Sequence, residues 1–378
     1  MLLMLVANAA GTQGRDLVAT DIRGVVARDV GQPAPIERIV LEDPGPGEVL
    51  VRVLASGVCH TDLHFQLGSI GTLPILMGHE GAGVVEAVGE GVTSPKVGDY
   101  VVLAWRAPCG QCRFCRIGQL HLCAASLNAQ PRQHSPAGDV IPTIMGLGTF
   151  ATHTVVAALQ AVPIPREVPP EQACLIGCGV MTGLGAVFYT AGVRRGSTVA
   201  VFGSGAVGTS VIQGARLADA AQIIAVDLEP RKLEWAKQFG ATDTVNASQT
   251  DPVAAIKELT GGNGVDYVFE AVGNPKVLAQ ALRSRDLAGV CTLIGVPSAD
   301  AVIEFPAQEY FGMGGSLRVS WYGDCLPTRD FPLLADLYLK GRLKLDELIT
   351  QKIALEGVQG AFEAMERGET LRSVISFG

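Results

Sequence analysis

Short apolar runs broken by Gly, Pro and Asp mark the first part of the chain. Val49 to Leu54, Gly83 to Val88, Tyr100 to Leu103 and Thr152 to Val156 read as strands between turns. They predict an irregular β domain carrying loops over residues 24–179. Over residues 180–322 the pattern changes. Apolar strands at Ser197 to Phe202, Gln222 to Val226, Asp266 to Glu270 and Gly289 to Ile294 alternate with helical periodicity from Ala206 and through Glu229 to Phe239. Parallel neighbours need a crossover helix, so this alternation predicts a doubly wound α/β sheet. Residues 323–378 carry helical spacing at Phe331 to Leu339 and Leu355 to Met365, then a strand-like Arg372 to Phe377. This tail is expected to return to the first domain.

Composition supports that division. The 378 residues exceed the size at which single cores stop growing, roughly 250–300 residues. With 48% hydrophobic and only 17% charged residues the chain can bury large cores. A net charge of −8 disfavours a phosphate-backbone partner, so nucleic acid is not expected. The opening MLLMLVANAA is apolar but short, and its first basic residue, Arg15, follows rather than precedes it. It reads as an extension before a strand near Gly24 to Ala27, not as a leader. No later apolar run reaches membrane length free of Gly, Pro and charge, so the expected compartment is the cytoplasm, with no membrane partner.

Candidate chemistry begins where the Val199 to Phe202 run meets Gly203-Ser204-Gly205-Ala206-Val207-Gly208 and a helix opens. This is the G-x-G-x-x-G turn in the context it requires. Gly203 allows the tight turn, Gly205 admits a pyrophosphate, and Gly208 lets helix and strand pack. Asp227 ends the next strand, nineteen residues after Gly208, where an acid binding the adenosine ribose belongs. Its charge opposes a 2′-phosphate by roughly 4 kcal/mol at ~4 Å and an effective dielectric of ~20, which favours NAD over NADP. Arg231 reads as a solvated side chain.

Two cysteine sets point to metal. Cys109, Cys112, Cys115 and Cys123 crowd one loop, and four thiolates close a tetrahedral Zn²⁺ completely, which makes a structural site. An iron–sulfur run of this type would bring its fourth cysteine earlier and follow it with Pro rather than Ala124. Cys59, His79 and Cys178 are dispersed. Together they form a Cys₂His set that leaves zinc one open position, which makes a catalytic site. Cys174, Cys291 and Cys325 read as small core residues.

These pieces, with Gly57-Val-Cys-His-Thr-Asp-Leu-His64, Gly78-His-Glu-Gly-Ala-Gly83 and Gly177-Cys-Gly-Val-Met-Thr-Gly183, resemble the zinc-dependent medium-chain alcohol dehydrogenases over nearly the whole chain. The resemblance implies a GroES-like β catalytic domain, a Rossmann NAD domain, and hydride transfer between an alcohol or aldehyde and NAD. It implies Glu80 as an occasional further zinc ligand and Asp62 as the group orienting His79. His60 and Arg372 would lie at the cofactor phosphates, and Val296 on the cofactor wall. Thr61 would take the hydroxyl proton and His64 would deliver it to solvent. Trp105 to Cys112 and Ser320 to Pro327 resemble most the branch that oxidises the mycothiol–formaldehyde adduct. A general alcohol dehydrogenase, a non-catalytic NAD-binding sensor and a zinc-free reductase are the alternatives. A homodimer or homotetramer is expected, with a strand near Leu317 to Ser320 at the sheet edge.

Overall fold

The computed structural model describes residues 20–377, and the N-terminal extension read above lies outside the described residues. Two bodies of sheet are joined by a long helical run. The six-stranded sheet is parallel throughout, in the order Asp243–Asn246, Gln222–Asp227, Thr198–Phe202, Val265–Glu270, Arg285–Leu293, Ser316–Val319. The order reverses between Thr198–Phe202 and Val265–Glu270, and in such sheets that switch point opens the ligand crevice at the strands' C-terminal ends. Continuous apolar strands are needed here because both faces are covered. Ala200, Phe202, Ile224, Val226 and Val268 are buried against the helices Pro252–Leu259 and Pro275–Arg283.

The other body holds a seven-stranded sheet in which Glu48–Val58 is central, pairing with Gly81–Val88, His153–Ala157 and Arg372–Ser376. A four-stranded sheet built on Thr20–Ala27 and Ile36–Leu41 packs beside it. The antiparallel register Ser373↔Val58 sets the C-terminal strand beside the residues that lead into Cys59.

Two differences from the sequence patterns have a clear physical cause. The strand predicted to start at Gly289 begins at Arg285. A charged residue masked the pattern: Nε and Nη1 of the buried Arg285 guanidinium donate to the carbonyls of Leu282, Gly289 and Gly314 rather than to a carboxylate. The second is a helical run, Pro170–Ala191, long and apolar enough to cross a membrane but mostly buried inside the fold. It alternates α-helix with two π-helical stretches, Ile176–Val180 and Ala186–Ala191. Wide turns of this kind often mark functional positions, and the first contains Cys178. The run is the joint of the molecule. A Cβ at Gly177 would lie 2.6 Å from the Leu103 carbonyl, and one at Gly183 would lie 2.5 Å from Cβ of Ser210 in the helix Ala206–Leu217. Only glycine lets both bodies approach it so closely.

Candidate active site

Three separate elements supply the dispersed donors. Cys59 caps the short helix His60–Gln66, His79 and Glu80 precede the strand Gly81–Val88, and Cys178 lies in the π-helical turn. One ligand atom from each of Cys59, His79, Glu80 and Cys178 lies within 4.8 Å of the others. His79 is fixed from behind. Its Nδ1 meets Asp62 Oδ1 at 2.9 Å, and Asp62 also accepts from the backbone N–H groups of Cys59 (3.1 Å) and Gly78 (3.2 Å). Asp62 thereby chooses the tautomer that turns Nε2 toward the thiols.

Electrostatics indicates what the cluster holds. A hydrogen bond from Cys178 pushes Cys59 well below the ordinary thiol range, while the same contact and burial push Cys178 well above it. Burial acts against a charged His79, but Asp62 and Cys59 together outweigh it and raise the pKa. Burial lifts Glu80 to about 7, with Arg372 opposing. His79 Nε2 and Glu80 Oε1 are buried without any hydrogen-bond partner. Orphaned buried polar atoms are costly, and here both belong to ligand-type groups that share one small space with two sulfurs. A cation accepting sulfur and nitrogen donors fits, and Zn²⁺ suits that set better than Mg²⁺ or Ca²⁺. Arg372, itself buried, pairs with the second oxygen of Glu80.

The four-cysteine lobe is built locally. Ligand atoms of Cys109, Cys112, Cys115 and Cys123 also lie within 4.8 Å of one another. Backbone N–H groups of Cys109 and Ser126 donate to Cys123 Sγ at 3.2 and 3.3 Å, and that of Cys112 donates to Cys109 Sγ at 3.3 Å. Backbone donors, those of Cys115 and Ala124, bring Cys112 down to about 6, whereas desolvation and the neighbouring thiols push Cys115 up to about 12. Thiols that divide in this way share protons that a metal would replace. By contrast Cys174, Cys291 and Cys325 are buried, each with its pKa raised by desolvation, as inert core thiols should be.

Across the joint, the dinucleotide turn follows Thr198–Phe202. Gly203 takes φ +90°, and a Cβ on Gly208 would sit 1.7 Å from the Gly203 carbonyl oxygen. A Cβ on Gly205 would meet nothing within 4 Å, so the turn keeps an open cradle above the N-terminus of Ala206–Leu217. That cradle fits a pyrophosphate. Asp227 holds the turn by accepting from Ser204 N–H (2.7 Å) and Glu229 N–H (3.0 Å), and Glu229, not Asp227, caps the helix that follows. Arg372, Ala206 and Gly179 line one small cavity between the turn and the metal cluster. His60 is exposed, Thr61 and His64 are half-buried on one short helix, and Val296 stands 70% exposed on the loop after Arg285–Leu293. No described side chain bonds Thr61 Oγ1 or the His64 ring.

Sequence reasoning missed the wall beside Cys178. Tyr322 O–H donates to the Gly177 carbonyl at 2.5 Å, its ring lies 4.1 Å from Trp105, and Trp321 meets Trp105 edge-on at 5.9 Å. Tyr322 and Asp324 are held at φ 58° and 50°, a left-handed backbone costing about 1 kcal/mol or more for such residues. The motif was visible in the sequence, but nothing local indicated that Trp105 and Tyr322 would meet.

Residues 45–166 match the alcohol dehydrogenase GroES-like domain and residues 206–340 match the zinc-binding dehydrogenase domain. The S-(hydroxymethyl)glutathione dehydrogenase of Haemophilus influenzae is 41% identical over 94% of this chain and 97% of its own. Among solved structures, an alcohol dehydrogenase zinc-binding domain protein from Burkholderia ambifaria aligns with a TM-score of 0.91 at 37% identity, covering 96% of this chain and all of that one. Benzyl alcohol dehydrogenase from Acinetobacter calcoaceticus aligns at 0.89 and 32%, covering 95% and 100%. With the GroES-like body, the parallel sheet and the cysteine sets, these matches establish that the chain belongs to the zinc-dependent medium-chain alcohol dehydrogenases and is an oxidoreductase of that type.

Proposed function

We propose that this enzyme oxidises the hydroxymethyl adduct of formaldehyde with a small thiol, passing hydride to NAD, and that mycothiol is its thiol. The carrying observation is the placement of the two segments that resemble the mycothiol branch. Trp105–Arg106 and Trp321–Tyr322 form one aromatic wall, with the Arg106 guanidinium 5.9 Å from the Trp321 ring, and that wall bonds to the residue before Cys178. Zinc held by Cys59, His79 and Cys178, with Glu80 in reserve, would supply Lewis-acid polarisation of the substrate oxygen, and NAD the hydride acceptor.

The protein's own groups do the rest. Asp62 orients His79. Thr61 accepts the substrate proton and His64, three residues on along the same helix, hands it to solvent. Gly203, Gly205, Ala206, Val207 and Gly208 cradle the pyrophosphate, with His60 beside it and Arg372 supplying positive charge, Asp227 taking the ribose and Val296 flanking the nicotinamide end. Cys109, Cys112, Cys115 and Cys123 hold a second, structural zinc.

A second reading is a general aromatic alcohol dehydrogenase, favoured by the same flat apolar wall. The deciding assay follows NADH formation from formaldehyde alone, with mycothiol and with glutathione, beside benzyl alcohol. Dependence on mycothiol supports the proposal. Dependence on glutathione assigns the activity named for the Haemophilus relative, and brisk oxidation of benzyl alcohol without thiol supports the second reading.

Two copies would pair edge to edge through Ser316–Val319, whose Leu317 and Val319 are 38% and 62% exposed at the end of the parallel sheet. All nine cysteines are free, which suits the reducing cytoplasm. Light scattering of the zinc-replete protein tests the dimer or tetramer.

A further inference from the structure

Glu270 ends the strand Val265–Glu270 at the switch point, opposite Phe202 in register, and its side chain is fully buried. No Lys or Arg pairs with it among the described residues. Burying a carboxylate without a cation is costly, and the cost is met here by the backbone. Val272 N–H donates to Oε1 at 3.0 Å, and Gly273 N–H reaches Oε1 at 2.8 Å and Oε2 at 3.1 Å. The main-chain carbonyl of the same residue accepts from Ile294 N–H (2.8 Å) and Gly295 N–H (3.0 Å). One residue therefore ties together the loops that leave two adjacent strands.

Those loops carry two exposed aliphatic side chains, Val272 at 51% and Val296 at 70%. Their backbones touch: a Cβ on Gly273 would lie 2.4 Å from the Val296 carbonyl oxygen. On its other side Val272 reaches the dinucleotide turn, since a Cβ on Gly203 would be 2.8 Å from Val272 Cγ2. Asp227 lies on the far side of that turn, so a dinucleotide with its ribose acid there and its pyrophosphate at Gly205 must lay its other half toward Val272 and Val296.

We propose that Glu270 is a positioning residue, holding Val272 and Val296 as the two sides of the slot for the nicotinamide end of the cofactor. This rests on the reading of the cleft as an NAD site. The carboxylate itself touches no cofactor atom. It acts through the amides of Val272 and Gly273, which flex if the acceptor is weakened.

The test compares two ligands that share the adenosine and pyrophosphate and differ in the nicotinamide: NADH and ADP-ribose. In Glu270→Gln one oxygen becomes a donor facing Gly273 N–H, so a charge-assisted bond is lost. The expected result is NADH binding weakened about tenfold, with ADP-ribose binding changed less than about twofold, and with Glu270→Asp recovering part of the loss. Equal weakening of both ligands, or no change in either, overturns the proposal. Hydrogen exchange on the unmodified enzyme gives a second measurement that needs no variant to fold. NADH should slow exchange at Val272 and Gly273 more than ADP-ribose does, and equal protection overturns the proposal. If the unmodified enzyme binds neither ligand, the NAD reading itself fails, a result distinct from unselective weakening in the variant.

Discussion

The two cysteine clusters bring similar donors into the same 4.8 Å, yet they are made in opposite ways. In the lobe, one loop supplies all four sulfurs and most of the N–H groups that bond them. At the dispersed site, three elements far apart in the chain each deliver a donor, and every orienting contact comes from somewhere else in the fold: Asp62 behind His79, Arg372 against Glu80, Tyr322 on the carbonyl before Cys178. A site closed on itself can serve stability. A site with orphaned, inward-facing atoms is poised for chemistry, and its geometry depends on the whole domain.

The sharpest break in that contrast is Cys178→Ser. Turnover should fall by about 10³-fold or more, with one of two zinc ions lost and the thermal midpoint nearly unchanged. Activity within tenfold of the parent, read beside metal content by atomic emission, would remove Cys178 from the reaction. Cys123→Ser should do the reverse. It is expected to cost about 3 kcal/mol of stability while the remaining folded enzyme turns over within about fivefold, measured by denaturant titration and by kcat on the soluble fraction. If it abolished turnover without lowering stability, the lobe would have to be reassigned to the chemistry.

Asp62→Asn removes the acceptor charge behind His79 and keeps the shape. Activity or catalytic-zinc affinity should drop about 10–100-fold, and a change under threefold in both would mean that His79 is held by its backbone alone. Smallest is Tyr322→Phe, which leaves the buried Gly177 carbonyl without its donor. About 1–2 kcal/mol of stability should be lost, with thiol-adduct KM moving more than kcat. Unchanged stability would show that the aromatic wall leans on Cys178's turn without supporting it.

Much of this was readable from residue order. Apolar runs five or six residues long alternating with helices announced the parallel sheet, because strands buried on both faces leave little room for polar positions. The glycine turn and Asp227 were readable because spacing along a strand, turn and helix becomes distance directly. The lobe was readable for the same reason. Less was legible where a buried charge interrupted the pattern: Arg285 hid the start of its strand and Glu270 passed as an ordinary strand end, since the partners of each are backbone groups that no local signal reveals. The π-helical turn around Cys178 was also hidden, because the widening of a helix depends on what packs against its glycines.

Sequence alone therefore determined the donor types, the glycine turn and the fold class, which follow from residue type and local pattern. Only the tertiary structure decided that His79 Nε2 faces Cys59 and Cys178, that Arg372 pairs with Glu80, and that Trp105 meets Tyr322. Those are contacts between elements many residues apart, and they are set by packing and hydrogen-bond satisfaction across the whole fold rather than by any neighbourhood in the chain.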